Sequence, residues 1–282
     1  MSRVRRGTAV TLALILVLVA GTVAPAPAAA MTPRVELPLV ATSPTPVPVV
    51  TSSASAIVPG SVHRTSMNVR ATYDVHVRLG IAARTISGRA EITVQNRSGA
   101  GIDRLELNTV MARLGGLRLG PTTVDGVAVK PTVDDQTLLV PLGGVLPDDA
   151  SALVVVRFAA TLRTSTAGSS WLFARSGGIS NLYRWIPWVS RRTSFDRPNH
   201  GDPFVTPVSP SVHVTYVTDV PVVIASTGRR TSISADRRTQ GFTAVNVRDI
   251  TTAISTYRTK SATVGSTTVR VYYRPGAPAT GR

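Results

Sequence analysis

The histidines of this chain, His63, His76, His200 and His213, stand isolated, at spacings that suit no metal site. A catalytic zinc needs three protein ligands and an open position, commonly two histidines one helical turn apart with a glutamate beside them. No such spacing occurs, and with no cysteine there is neither a thiolate metal site nor a lipobox nor a disulfide framework. Serine chemistry lacks a G-x-S-x-G elbow, and phosphate chemistry lacks both G-x-G-x-x-G and a Walker sequence. Asp202 and Asp249 can be cast as the acid and base of a glycosidase, but any two carboxylates can be until their separation is known. On its own residues the chain reads as a binding or accessory domain, with no cofactor of its own.

What does stand out is aromatic. Two of the three tryptophans lie in Asn181-Leu182-Tyr183-Arg184-Trp185-Ile186-Pro187-Trp188, followed by Gly201-Asp202-Pro203-Phe204, in a chain only 5% aromatic. A cluster bounded by Pro and Gly implies an ordered irregular segment held against something. One reading makes Tyr183, Trp185 and Trp188 a stacking platform for glycan or peptide, in a cell-surface β-sandwich binding module. The other has the rings pack the loop onto a sheet or cover an interface with a partner.

The elements that must position this segment are strands. Tyr73, Val75, Val77 and Leu79 share one face against Asp74, His76 and Arg78, and Ile92 and Val94 alternate with Glu91 and Thr93. Further strands are expected over 104–108, 117–119, 137–142, 152–159, 212–217, 222–226, 242–247 and 267–273. Turn signals between them include Asp125-Gly126, Gly143-Gly144, Pro147-Asp148-Asp149 and Thr227-Gly228. Asn96-Arg97-Ser98 matches a glycosylation sequon, but at a strand end it reads as a turn. Helical periodicity is hard to find, so no crossover helices are available. The expected fold is all-β, an antiparallel two-sheet sandwich or saddle.

Both ends read differently. Arg3, Arg5 and Arg6 precede an apolar run from Ala9 to Gly21 and small residues in A-x-A register, which predicts a secretory signal peptide over 1–30, with an uncleaved anchor as the alternative. Residues 31–66, rich in Pro, Ser, Thr and Val, predict a disordered stalk. The folded domain is expected over 67–275, long enough to bury a core without staples, and 276–282 is a tail. The net charge is +16, or +13 once the three leader arginines are set aside. Its arginines are dispersed, which favours a basic surface facing anionic cell-wall polymers or membrane head groups over specific nucleic-acid binding.

Taken in order, Tyr73-Asp74-Val75-His76-Val77, Gly88 to Asn96, Leu105-Glu106-Leu107-Asn108, Leu146-Pro147-Asp148, the Trp-x-Pro core, Gly201 to Phe204, Ala225 to Gly228 and Val247-Arg248-Asp249-Ile250 form a pattern. It resembles the N-terminal β-domain of the gluzincin zinc aminopeptidases, the membrane alanyl aminopeptidase group, over about residues 67 to 275. The resemblance implies a saddle-like β-domain that walls the peptide cleft of a following catalytic domain. It implies a substrate-cleft or partner-interface role for Tyr183, Trp185, Pro187, Trp188, Asp202 and Phe204, and it places Arg248-Asp249 at a strand end late in the domain, where the physical expectation is a structural ion pair that fixes a turn.

Two departures accompany it. The family's H-E-x-x-H helix and Gly-x-Met-Glu-Asn motif belong to the next domain and are not in this chain, so zinc is expected only there. A truncated or split metallopeptidase, inactive alone, is the expectation. The Gln that many members place about ten residues before the Pro is replaced by the neighbourhood Ser176-Gly177-Gly178.

Overall fold

The computed structural model describes residues 55–65, 68–190 and 206–275. The predicted signal peptide, most of the predicted stalk, Asp202, Phe204, His200 and the tail lie outside these. In chain order the strands are β1 (Val69–Gly80), β2 (Thr85–Asn96), β3 (Ile102–Asn108), β4 (Arg118–Val124), β5 (Val127–Val129), β6 (Thr132–Asp134), β7 (Thr137–Leu146) and β8 (Ser151–Thr161). There follow β9 (Phe173–Ser176), β10 (Ile179–Leu182), β11 (Trp188–Val189), β12 (Val212–Thr218), β13 (Val223–Ser226), β14 (Arg229–Ile233) and β15 (Thr239–Ala244). The last are β16 (Thr252–Ser255), β17 (Arg258–Val264) and β18 (Thr267–Tyr273). One α-helix, α1 (Val110–Leu114), and one 3-10 turn, Gly168–Leu172, complete the described elements.

Alternation builds the core as expected. Along β1 Val69, Ala71, Tyr73, Val75, Val77 and Leu79 are all buried, and β2 and β8 add Ile86, Ile92, Val94, Val154, Val156 and Phe158. These lie in a large eight-stranded sheet of order β14-β15-β12-β1-β2-β8-β4-β5. β1 and β2 pair antiparallel through all twelve residues, and β2 pairs antiparallel with β8 from Thr85 to Gln95. Two four-stranded sheets, β13-β16-β10-β9 and β11-β3-β7-β6, and the β17-β18 hairpin stand beside it.

The all-β expectation holds, and two details differ from it. There are four sheets among the described residues rather than two, and within the large one the β4–β8 register shifts between Leu119 and Thr122, around Gly120-Pro121, where the proline has no N–H to donate. One pair is parallel, β1 beside β12, with Tyr73 opposite Val212. The connection between them is long, with β2 to β11 and α1 intervening before the chain returns.

Gly143-Gly144 is a second correction, for it lies inside β7 instead of turning the chain. A Cβ at Gly144 would sit 2.5 Å from the Val58 carbonyl oxygen, and that vacancy lets an earlier segment approach. Val58 and Val145 exchange backbone hydrogen bonds of 2.9 and 2.8 Å. Residues 55–65, assigned from composition to a disordered stalk, are thus held on the domain. Asp103 anchors them: its carboxylate accepts from Ser61 Oγ at 2.6 Å and from the N–H groups of Val62, His63 and Arg64 at 2.7–2.9 Å. Burial opposes ionisation, but these bonds outweigh it and hold the carboxyl well below the usual carboxylate range.

Asn96 shows the same economy. Its buried amide donates to the carbonyls of Ala100, Leu146 and Pro147 at 2.7–3.1 Å and accepts from Ser98 N–H and Oγ, so the sequon is a turn whose side chain is fully engaged. Among the described residues no helix is long and apolar enough to cross a membrane. Asp103→Ala is expected to release the leading segment. Amide hydrogen exchange at Val62, His63 and Arg64 should quicken by at least about tenfold, matching loss of about 1.4 kcal/mol of local protection, while Ile92 and Val154 stay protected. Unchanged exchange at 62–64 would refute the anchor.

Candidate functional site

The aromatic segment joins two sheets. β9 and β10 form a hairpin whose turn, Gly177-Gly178, takes φ of 53° and 80°, the left-handed region that glycine enters without a Cβ penalty. The chain then leaves β10 at Leu182, passes Tyr183 to Pro187 without regular structure, and enters β11, which pairs with β3 through Trp188–Asn108 and Val189–Leu107. Arg184 makes the bend with φ 45°, unusual for a residue with a side chain. Its N–H donates to Asp249 Oδ2 at 3.2 Å and its carbonyl accepts from Val110 N–H at 2.9 Å, so both neighbours hold the strained backbone.

Trp185 is 0% exposed. Its ring meets Phe158 edge-on at 6.5 Å and Tyr216 at 5.9 Å, and Tyr216 in turn meets Phe242 at 5.7 Å. Its carbonyl accepts from Thr109 Oγ1 at 2.8 Å, the residue that also caps α1 by accepting from Met111 N–H. Trp188 is buried too, stacked on Tyr73 with centroids 4.2 Å apart and planes 19° off parallel, and its Nε1 donates to the Pro207 carbonyl. Pro187 is buried as well. The platform expectation is thereby corrected for Trp185 and Trp188: neither presents a ring face to solvent, because burying their large apolar area against the strand aromatics outweighs leaving it wet.

Tyr183 is different. It is half-buried and lies 6.2 Å from the ring of Trp171, which is 50% exposed. Trp171, in the 3-10 turn, is the residue that sequence reasoning passed over. Its signal was there, a lone tryptophan in a stretch of Gly, Ser and Thr where a ring has no alternating partners. The surface-facing aromatic site is therefore Trp171 with Tyr183.

The Arg248–Asp249 pair is also corrected. Arg248 turns away and its guanidinium donates to the Thr206 carbonyl at 2.6 Å. Asp249 answers to Arg184 instead, and its carboxylate accepts from the N–H groups of Arg184 and Ile250 and from Thr251 Oγ1. Consecutive residues on an extended chain point to opposite sides, so a neighbouring Arg is poorly placed and one 65 residues away is well placed. Burial pushes the Asp249 carboxyl up to about 6, against the pull of Arg184 and the hydrogen bonds. The same burial raises the two core phenols, Tyr73 beyond the usual range and Tyr216 to about 12. Tyr216 lies within 2.6 Å of Thr252 Oγ1 and 3.3 Å of Ser226 Oγ, a closed group of hydroxyls rather than a reactive one.

No group of three or more His, Cys, Asp or Glu side chains among the described residues converges as a metal site. His76 meets Asp74 at 3.2 Å on an exposed strand face, and His213 contacts Ser211 and Thr243. The donors among the described residues do not fit a catalytic zinc.

No protein-family model and no curated protein matches the sequence. Solved structures do match. The M1 zinc metallopeptidase of Deinococcus radiodurans aligns with a TM-score of 0.53 at 18% identity, over 80% of this chain and 52% of that one. A mutant of the Deinococcus protein bound to a Tyr-Ser-Ala substrate gives 0.54 and 18%, over 81% and 52%. A two-domain M1 zinc metallopeptidase mutant bound to L-arginine gives 0.51 and 20%, over 80% and 52%. The chain spans about half the length of the structures it matches. It has the metallopeptidase-associated β-fold that the ordered landmarks implied.

Two predictions follow from the packing and the buried carboxyl. Trp185→Ala should cost about 3–5 kcal/mol in urea unfolding, whereas Trp171→Ala should cost under about 1 kcal/mol; equal losses would contradict the division into core and surface rings. The folded state holds the Asp249 proton up to about pH 6, whereas an unfolded carboxyl releases it near 3.8. Stability from this site therefore falls as pH rises from about 4 to 6, by about 2 kcal/mol, and returns on acidification. Asp249→Asn should lose that limb of the stability profile, and parallel profiles for the two proteins would refute it.

Proposed function

We propose that the chain is an exported, non-catalytic N-terminal domain of the M1 zinc metallopeptidase type, which walls the peptide cleft of a zinc-bearing catalytic domain carried elsewhere. One observation carries the reading: four-fifths of this chain shares its fold with half of each matched metallopeptidase, while no metal donors converge among the described residues. Export is read from the charged, apolar and small-residue regions of positions 1–30.

The aromatic segment has two tasks in this reading. Trp185, Pro187 and Trp188 lock the crossing from β10 to β11, and the half-exposed Tyr183 with Trp171 supplies the docking face for the catalytic partner. Asp202 and Phe204, which lie outside the described residues, are assigned to the same interface from the Gly-Asp-Pro-Phe motif alone. Asp249, paired with Arg184, sets the bend that aims it, and Arg248 tethers Thr206. Peptide substrate reaches this domain only through the partner, and zinc is held by the partner alone. A glycan platform of Tyr183, Trp185 and Trp188 has lost two of its three rings to the core and is not favoured.

Purified protein incubated with zinc and amino-acid anilides should give no turnover, and turnover abolished by a chelator would overturn the non-catalytic assignment. The nucleotide sequence following the Arg282 codon, read in all frames, should encode an H-E-x-x-H helix if the partner derives from the same gene. Its absence would overturn the split-peptidase form of the proposal.

A further inference from the structure

The positive charge that looks dispersed along the sequence gathers where the C-terminal hairpin meets the rim of the large sheet. β14 is the edge strand there and is exposed throughout, as is most of the β17–β18 hairpin. Two grooves of about 540 and 410 Å3 open between them and adjoin, since Arg230, Arg270 and Tyr272 line both. Arg237 and Arg258 complete one wall and Arg229 the other, with no Asp or Glu in either lining. Among the described residues none of these five flanking and central arginines, 229, 230, 237, 258 and 270, stands in an ion pair.

Strand periodicity explains the convergence. Thr268, Arg270 and Tyr272 are two residues apart on β18 and so share a face. Across the hairpin Ser261 lies opposite Arg270 and Thr259 opposite Tyr272, which adds hydroxyls beside the charge and the ring. Arg270 Nε donates to Ser261 Oγ at 3.3 Å, and the Tyr272 ring is braced edge-on by Tyr257 at 6.0 Å.

We propose that the groove between β14 and the β17–β18 hairpin binds an acidic polysaccharide, with Arg230 and Arg270 gripping its anionic groups and Tyr272 seating a sugar ring. Guanidinium forks match carboxylate and phosphate oxygens in pairs, and like charges crowded without a carboxylate gain most when an anion enters. The tyrosine offers an apolar face for sugar C–H groups, and Thr259, Ser261 and Thr268 offer donors and acceptors for sugar hydroxyls. A membrane is less suited, because these charges line a recess instead of a flat face. Unpaired bases are less suited as well, because Tyr257 and Tyr272 meet at 72° and make no parallel stack. This site is separate from the aromatic segment and does not depend on the metallopeptidase reading.

Calorimetric titration of the purified full chain with polygalacturonate tests it, with circular dichroism confirming that each variant is folded. Arg230→Gln/Arg270→Gln should weaken binding at least about tenfold, whereas Arg118→Gln/Arg157→Gln, on the far side of the large sheet, should change it less than about twofold. Tyr272→Leu should weaken polygalacturonate but leave affinity for inorganic pyrophosphate unchanged. Equal losses in the two arginine double variants would reduce the effect to net charge and overturn the site. Binding to phosphatidylglycerol vesicles with the same arginine dependence, and none to polygalacturonate, would overturn the glycan and assign the groove to lipid. No binding of polygalacturonate by the unaltered chain would overturn the proposal outright.

Discussion

Tyr73 sits mid-strand in β1, buried, with its ring stacked on Trp188 at 4.2 Å and its hydroxyl accepting the Val189 amide proton at 2.9 Å. Through that side chain the large sheet grips the strand that ends the aromatic segment. The phenol has one polar atom to satisfy in the core, and the backbone amide has one donor to place, so each completes the other. Everything between Leu182 and Ser190 is stretched between this contact and β10, which leaves Trp185 to fall against Phe158 and Tyr216.

Around this tie the remaining polar groups act on backbone. Asp103 gathers the leading segment, Asn96 closes the turn after β2, and Asp249 fixes the left-handed bend at Arg184. Each collects several donors or acceptors, at least one of them from chain distant in sequence, so each converts side-chain chemistry into geometry. Burial resists ionisation at both carboxyls; at Asp249 it outweighs the hydrogen bonds and raises the carboxyl, whereas at Asp103 the hydrogen bonds outweigh it and lower the carboxyl.

Much of this was legible beforehand. The alternation at Tyr73 to Leu79 and at Ile92 and Val94 named the central strands, and Asp125-Gly126 and Thr227-Gly228 marked real turns with left-handed Asp and Gly. The short strands β9, β10 and β16 were not visible, because four residues give few positions for a period and these carry no run of β-branched residues like Val222-Val223-Ile224 at β13. Gly143-Gly144 was misread because glycine serves equally for a turn and for close approach of another backbone, and only the neighbour decides which. The Pro-, Ser-, Thr- and Val-rich composition of 31–66 hid the attachment of 55–65 for a similar reason: its partners, Asp103 and Val145, are more than 35 residues away.

The sequence by itself determined the β class, the core faces of the long strands, the absence of a zinc helix from its 282 residues, and the concentration of rings after Asn181. Those are local quantities, set by period and residue type. Tertiary structure alone decided which rings are buried, that Trp171 joins Tyr183 at the surface, that Asp249 pairs with Arg184 rather than its neighbour, and that scattered arginines converge beside Tyr272. Each of these depends on which distant segments share a sheet edge, and strand pairing between residues far apart leaves no mark in the order of amino acids.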